Sequence, residues 1–316
     1  ALDKDRLHHA YLFTGTRGTG KTTIARILAN CLNCEQGVSS SPCGACEPCT
    51  EIIEGRFIDL IEVDAASRTG VDDTRDLLNN VQYLPTRGRF KVYLIDEVHM
   101  LSTSSFNALL KTLEEPPPHV KFLLATTDPG KVPMTVLSRC LQFNLKNILP
   151  DVIAEHLGSV LTRESFDSDD VSLNVIARAA DGSLRDALSI ADQAVSYCGG
   201  SLEGDRVAEM LGTVRSDEVA RLLDAFADGD RVALFKCSNE LAARSADLAD
   251  VLANLQRAFH ELAMAHATET KPEGDLDKYT DRFSAQWIQL AYQTCLMGGR
   301  DMQYAPDPKV GFEMTM

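Results

Sequence analysis

The 316-residue chain predicts an α/β domain with a parallel sheet, followed by all-α units. Short apolar, β-rich runs alternate with helix-length amphipathic segments through about residue 145, the pattern of a doubly wound sheet covered on both faces. After Pro150 the β-rich runs stop, and apolar residues recur three and four apart, as on helix faces. The expected division is an α/β domain over 1–149, a small helical unit over 150–212 and a second helical unit over 213–316.

In chain order, AYLFTG reads as a strand entering a glycine-rich loop, and TTIARILANCL as the helix leaving it. IDLIEVDA is a second strand, and VDDTRDLLNNVQYL an amphipathic helix after it. FKVYLIDE is a third, strongly apolar strand, and SSFNALLKTLEE a helix ended by Pro116, Pro117 and Pro118. VKFLLATTD supplies a fourth strand and LSRCLQFNL a fifth. Beyond Pro150, VIAEHLGSVLTRES, DVSLNVIARAA and SLRDALSIADQAVSY are helices of the small unit, which ends near Gly212. SDEVARLLDAFADG, RVALFKCSNELAARS, LADVLANLQRAFHELAMAHA and FSAQWIQLAYQTCLMGG follow as helices, with the polar TETKPEGDLDKYTD expected to be an exposed loop.

Apolar content of 44% with 24% charged residues is ordinary globular composition, and no apolar run is long enough for a membrane span. The first residues lack a signal peptide's basic start and cleavage site, which makes the cytoplasm the expected location. The missing initiator Met and the final GFEMTM point to a fragment. Net charge is −15, but residues 1–150 carry only −1 of it, so the first half remains free to meet phosphates.

Gly15-Thr16-Arg17-Gly18-Thr19-Gly20-Lys21-Thr22 fits the G-x-x-x-x-G-K-[ST] loop in full, with a strand before it and a helix after. Glycines let backbone N–H groups close around phosphates, and the helix N-terminus adds partial positive charge. These residues and Thr23 are the candidate nucleotide contacts, with Lys21 on the β- and γ-phosphates and Thr22 on Mg²⁺. Asp96-Glu97 at the end of VYLIDE places two carboxylates at the ligand-binding edge of the sheet. Asp96 is the candidate to hold Mg²⁺ and Glu97 to polarise the attacking water, which together predict an NTP hydrolase. Arg139 in Ser138-Arg139-Cys140 and Arg185 in Gly182-Ser183-Leu184-Arg185-Asp186 have the fixed charge suited to a γ-phosphate, although spacing alone favours surface ion pairs.

Cys34, Cys43, Cys46 and Cys49 can supply four thiolates to a tetrahedral Zn²⁺, a closed and therefore structural site. An iron–sulfur cluster and a redox pair are the alternatives, and disulfides do not suit a cytosolic ATPase. Cys31, Cys140, Cys198, Cys237 and Cys295 lie singly in apolar patterns and read as core, while His8, His9, His99 and His119 show no metal-ligand spacing.

Together GTRGTGKT, CLNCE with PCGACEPC, DLIEVDAASR, VYLIDEVHML, FNALLKTLEEPP, FLLATTDP, LSRCLQF and GSLRDALS resemble the gamma/tau subunits of bacterial DNA polymerase III clamp loaders. LGT near residue 212, YQT at 292–294 and YAPD at 304–307 extend the resemblance to the whole chain. It implies an AAA+ ATPase domain over 1–149 with an inserted zinc module, a helical lid over 150–212 and part of a helical collar over 213–316. The implied activity is ATP hydrolysis that loads a sliding clamp onto primer–template DNA, within a complex that has DNA-directed DNA polymerase activity. Implied partners are delta- and delta-prime-type subunits and further copies of the chain in a pentamer, with no membrane. By residue match Lys21 and Thr22 belong to Walker A, Asp96 and Glu97 to Walker B, and Thr127, rather than Thr126, to the sensor of the γ-phosphate. Arg139 matches a finger supplied to a neighbouring subunit and Arg185 the lid's second sensor, while the four cysteines match the zinc module. Compared with the family pattern, the chain lacks an upstream stretch that helps enclose the adenine and a tau-type extension. DNA would be tracked by its backbone, with Arg68, Arg75, Arg87 and Arg89 as conceivable contacts that could equally be solvated charges. Competing readings are another nucleic-acid motor such as a helicase, because Asp96-Glu97-Val98-His99 mimics a DExH box, and a zinc-stabilised scaffold without turnover.

Overall fold

In the computed structural model, which describes residues 2, 7–67, 80–212, 216–244, 247–272 and 274–316, the apolar runs become β1 (Ala10–Thr14), β2 (Leu60–Asp64), β3 (Lys91–Asp96), β4 (Val120–Thr126) and β5 (Leu141–Asn144). They form one parallel sheet in the order β2-β3-β4-β1-β5. Every residue of β1 and β4 is buried, as expected for central strands covered on both faces, whereas β2 is partly covered and β5 is exposed at the edges. The register pairs Asp64 with Asp96, and Thr14 with both Thr126 and Asn144, so polar residues end the strands along one edge.

Alternation along the strands feeds two cores. Leu12, Tyr93, Ile95, Phe122 and Leu124 point to one face, where Phe106, Leu109 and Leu113 of α3 (Thr103–Glu114) cover them. Tyr11, Phe13, Leu94 and Leu123 point to the other, against Ala25, Ala29 and Leu32 of α1 (Lys21–Asn33). Each fully buried Leu or Phe contributes roughly 1.5–3 kcal/mol. Ser102 caps α3 by accepting from the Ser105 N–H at 3.1 Å. Between α1 and β2 lies α2 (Glu47–Ile53), and α4 (Met134–Leu137) precedes β5. The helix predicted over VDDTRDLLNNVQYL falls largely on 68–79, outside the described residues, as do Arg68 and Arg75.

Compactness divides the chain into Ala1–Leu157 with Ala177–Ala191, and Gly158–Ile176 with Asp192–Met316. The helices α5 (Pro150–Arg163), α6 (Asp170–Ala179) and α7 (Leu184–Cys198) therefore each contribute to both units, and the start of α7 belongs with the sheet. The second unit also holds α8 (Gly204–Leu211), α9 (Ser216–Asp228), α10 (Arg231–Ala243), α11 (Leu248–Thr268), α12 (Ala285–Asp301) and α13 (Pro308–Thr315). Its core gathers Leu222, Leu241, Leu255, Phe259, Leu262, Ile288 and Phe312. Asp247 caps α11, its Oδ1 2.9 Å from the Ala249 N–H. The polar stretch before α12 is not simply an exposed loop. It contains a 3₁₀ turn at Gly274–Tyr279, and Tyr279 is fully buried in the same core. Its hydroxyl finds Asp224 Oδ1 at 2.8 Å and the Ala220 carbonyl at 2.9 Å, which satisfies the polar tip inside an apolar site. Among the described residues no helix is long and apolar enough to cross a membrane.

The entrance to β3 is held by one buried carboxylate. Asp59, 2% exposed, accepts the backbone N–H groups of Thr86, Arg87 and Gly88, each at 2.7 Å. Asp59→Ala leaves three donors without their acceptor, and is expected to cost about 3 kcal/mol or more, read from chemical unfolding of the whole chain. A loss below about 0.5 kcal/mol, the range of an ordinary surface substitution, contradicts this role.

Candidate nucleotide site and metal cluster

The loop after β1 turns at three glycines whose φ angles are +148° at Gly15, +74° at Gly18 and +89° at Gly20, and α1 begins at Lys21. The first N–H groups of a helix have no partner within it and present a positive end to an anion. Lys21 Nζ donates to the Gly15 carbonyl at 2.9 Å and the Thr16 carbonyl at 2.7 Å, while Thr19 Oγ1 donates to Thr16 O at 2.8 Å. Burial lowers the Lys21 pKa, and the charges of Glu97 and Asp96 oppose that shift.

The segment ahead of α7 closes on this loop. The Leu184 N–H donates to Gly18 O at 3.2 Å, and a Cβ on Gly18 would stand 1.9 Å from Ser183 Oγ and 3.2 Å from Arg185 Cβ. Arg185 therefore starts beside the loop, with its side chain exposed. Thr16 Oγ1 donates to Asn147 Oδ1 at 2.7 Å, and Ile148 N–H to Gly182 O at 3.2 Å. Sequence reading missed Asn147 and Ser183, because only the close packing of the loop gives them a role.

The parallel register brings the end of β3 to the same edge. Thr22 Oγ1 donates to Asp96 Oδ2 at 2.6 Å, so the two residues assigned to Mg²⁺ touch each other. Asp96 Oδ1 accepts the Glu97 N–H at 2.9 Å. Glu97 takes a left-handed φ of +46°, and its Oε2 accepts from Thr127 Oγ1 at 2.8 Å and Thr127 N at 3.1 Å. Because β4 lies between β3 and β1, the residues at its end sit between the carboxylates and the glycine loop. Thr126 is fully buried and bonds His99 Nδ1 at 2.9 Å. This edge gathers one hydroxyl and two carboxylates, the donor types that a divalent ion and a polarised water would need.

Arg139 lies between α4 and β5, bonded to the Thr135 carbonyl and Glu114 Oε1, each at 2.8 Å. None of its described hydrogen bonds reaches Lys21, Asp96 or Glu97. Arg87 pairs with Glu47 at 2.5 Å and Glu51 at 3.2 Å, and Arg89 donates to the Cys34 carbonyl at 3.1 Å. Both arginines are thus engaged with the cysteine segment.

Cys34, Cys43, Cys46 and Cys49 place their sulfur atoms within 4.8 Å of one another. A tetrahedral ion with metal–sulfur bonds of about 2.3 Å needs sulfurs about 3.8 Å apart, so small adjustments complete the set. The Cys43 N–H lies 3.4 Å from Cys34 Sγ and the Cys46 N–H 3.3 Å from Cys43 Sγ, contacts that favour thiolate. Backbone N–H groups of Ala45 and Cys46 bring Cys43 down to about 6, whereas burial pushes Cys49 up to about 12. A cation held by these four cysteines would reverse that logic and favour the ionised form of all four sulfurs. Of the single cysteines, Cys31, Cys198 and Cys295 are buried, and Cys140 and Cys237 are partly buried.

Three family models match in succession. They are DNA polymerase III, delta subunit, over residues 1–149; the DNA polymerase III clamp loader subunit ATPase lid domain over 152–200; and DNA polymerase III subunits gamma and tau domain III over 202–316. Over its whole length the chain is 51% identical to DNA polymerase III subunit tau of Escherichia coli K12 and spans 50% of that protein. The subunit tau of Salmonella typhimurium gives the same 51% identity and 50% coverage, so the chain spans about half the length of these relatives. DNA polymerase III subunit gamma of Buchnera aphidicola subsp. Baizongia pistaciae is 43% identical across 98% of this chain and 87% of that protein. Among solved structures, the Thermotoga maritima RuvB Holliday junction branch migration motor aligns over 72% of this chain and 71% of its own. That alignment has 18% identity and a TM-score of 0.48.

The contrast between Gly18 and Gly20 tests the loop geometry. Both have a left-handed φ, but a Cβ on Gly20 meets nothing within 4 Å. Gly18→Ala is expected to destabilise the nucleotide-free chain by about 1 kcal/mol or more beyond Gly20→Ala, since backbone strain of about 1–2 kcal/mol is common to both and only Gly18 meets Ser183. Equal losses in chemical unfolding contradict the closure by Ser183. For the cysteine cluster, elemental analysis of the purified chain should find about one equivalent of bound metal, lost in Cys46→Ser and released as acid protonates the ligands. Intact cysteines that bind no metal contradict the assignment.

Proposed function

We propose, from the premise that this chain belongs to the DNA polymerase III gamma/tau family, that it is an ATP-hydrolysing motor of a clamp loader. The observation that carries the reading is the Thr22–Asp96 hydrogen bond of 2.6 Å beside Glu97 and the glycine loop. Hydrolysis would drive the placing of a ring-shaped sliding clamp on primer–template DNA, in the cytoplasm and in complex with delta- and delta-prime-type subunits and further copies of the chain. The proposed domains are an AAA+ domain at 1–149, a lid at 150–212 and a collar at 213–316.

Gly15 to Thr23 bind the triphosphate through backbone N–H groups, and Lys21 moves its ammonium from the Gly15 and Thr16 carbonyls to the β- and γ-phosphates. Thr22 and Asp96 would hold Mg²⁺, which when bound neutralises charge on the phosphates. Glu97 orients the attacking water and accepts its proton, and Thr127 senses the γ-phosphate. Arg185 acts on the nucleotide of its own chain, and Arg139 acts on that of a neighbouring subunit. The four cysteines would hold a structural Zn²⁺, whose closed coordination leaves no position for water.

Two substitutions in the reassembled complex test this. With clamp and primed DNA present, Lys21→Ala is expected to lower turnover by about 10²–10³, as for loss of a transition-state donor. Glu97→Gln should retain ATP binding while turnover falls by about 10²–10⁴. ATPase activity indifferent to clamp and primed DNA, or unchanged by Lys21→Ala, would sink the reading.

A further inference from the structure

Glu97, the residue that follows β3, is fixed more firmly than a strand-to-turn position requires. A left-handed backbone costs a non-glycine residue about 1–3 kcal/mol and persists only where its surroundings over-determine it. Here the Glu97 N–H is bound by Asp96 Oδ1 at 2.9 Å, and the Glu97 carbonyl accepts the Met100 N–H at 2.8 Å. The resulting 3₁₀ turn, Val98–Met100, swings His99 back toward the end of β4. Its Nδ1 lies 2.9 Å from Thr126 Oγ1 and 3.3 Å from Glu97 Oε2, with the imidazole side chain only 10% exposed.

The surroundings select the tautomer. Thr126 Oγ1 accepts the Asp128 N–H at 3.1 Å, so one of its lone pairs is already used. An unprotonated Nδ1 would turn its lone pair toward a carboxylate oxygen 3.3 Å away, which is repulsive. A proton on Nδ1, shared between Thr126 Oγ1 and Glu97 Oε2, makes both contacts attractive. Glu97 Oε2 then faces three donors: the Thr127 hydroxyl, the Thr127 N–H and His99 Nδ1–H.

We propose that His99 is a positioning residue for Glu97, holding its Oε2 when the Thr127 hydroxyl turns to the γ-phosphate. This rests on the ATPase reading above. A hydroxyl has one proton, and Thr127 now gives it to Glu97 at 2.8 Å. Once that proton is given to a phosphate oxygen, His99 is the remaining side-chain donor on Oε2, and Oε1 is left to meet water. His99 thus acts on the orientation of the carboxylate and not on the binding of nucleotide.

The test compares His99→Ala, His99→Gln and His99→Asn in the reassembled complex with clamp, primed DNA and Mg·ATP. An asparagine amide nitrogen falls near the place of Nδ1, whereas a glutamine amide nitrogen falls nearer Nε2. Ala and Gln should lower kcat about tenfold, the effect of one hydrogen bond to a charged group, with KM within about twofold. Asn should recover most of kcat, and the Kd for a fluorescent ATP analogue and the thermal midpoint should stay near wild type in all three. Equal kcat in all four proteins overturns the proposal, and so does an equal loss in Asn, because either result removes the donor at Nδ1. A loss expressed in Kd or in the thermal midpoint overturns it in favour of a packing role. A wild-type complex that turns over no ATP defeats the ATPase reading itself, whereas active wild type with unaffected variants defeats only the role of His99.

Discussion

The 2.6 Å hydrogen bond from Thr22 to Asp96 joins the first turn of α1 to the end of β3. These elements are distant in sequence, and in the sheet β4 separates β3 from β1, the strand that leads into α1. Their meeting depends on parallel strands that end level, with Asp64 opposite Asp96 and Thr14 opposite both Thr126 and Asn144. A shift of register by one residue would turn every side chain to the other face and separate the hydroxyl from the carboxylate. The two apolar cores on either face of the sheet hold that register.

The cysteine segment bears on the same alignment from the far ends of the elements. Helix α1 runs into Cys34, whose carbonyl receives Arg89, while Glu47 and Glu51 of α2 receive Arg87. Asn33 Oδ1 takes the Phe90 N–H at 2.8 Å, immediately before β3. Asp59 holds residues 86–88 by their N–H groups. The cysteine cluster is therefore one wall of a brace linking the end of the glycine-loop helix to the start of the carboxylate strand. The exposed ion pairs in that brace contribute little singly, and the buried Asp59 contributes the most.

Much of this was legible in the chain because local pattern and tertiary role coincide. The strands announced themselves by apolar runs, the loop by its glycines, and the four cysteines by their spacing. Where role depends on what folds nearby, sequence was silent or misleading. Tyr279 sits in a polar stretch that reads as loop, yet the core of the second unit buries it. Arg87 and Arg89 read as conceivable DNA contacts or solvated charges, and only the fold shows that both also bond to the cysteine segment. His99 shows no ligand spacing, and its contact with Glu97 exists because Glu97 turns left-handed.

If Thr22 and Asp96 hold Mg²⁺ together, as proposed, they act as one unit on that ion. A double-mutant cycle with Thr22→Ala and Asp96→Asn, read as the Mg²⁺-dependent tightening of ATP binding, tests it most directly. Residues that share one ion are grossly non-additive, so the account predicts that the double variant loses little more than the worse single variant, a coupling of about 1 kcal/mol or more. Losses that simply add would contradict it, because they would mean that the two side chains serve the nucleotide independently.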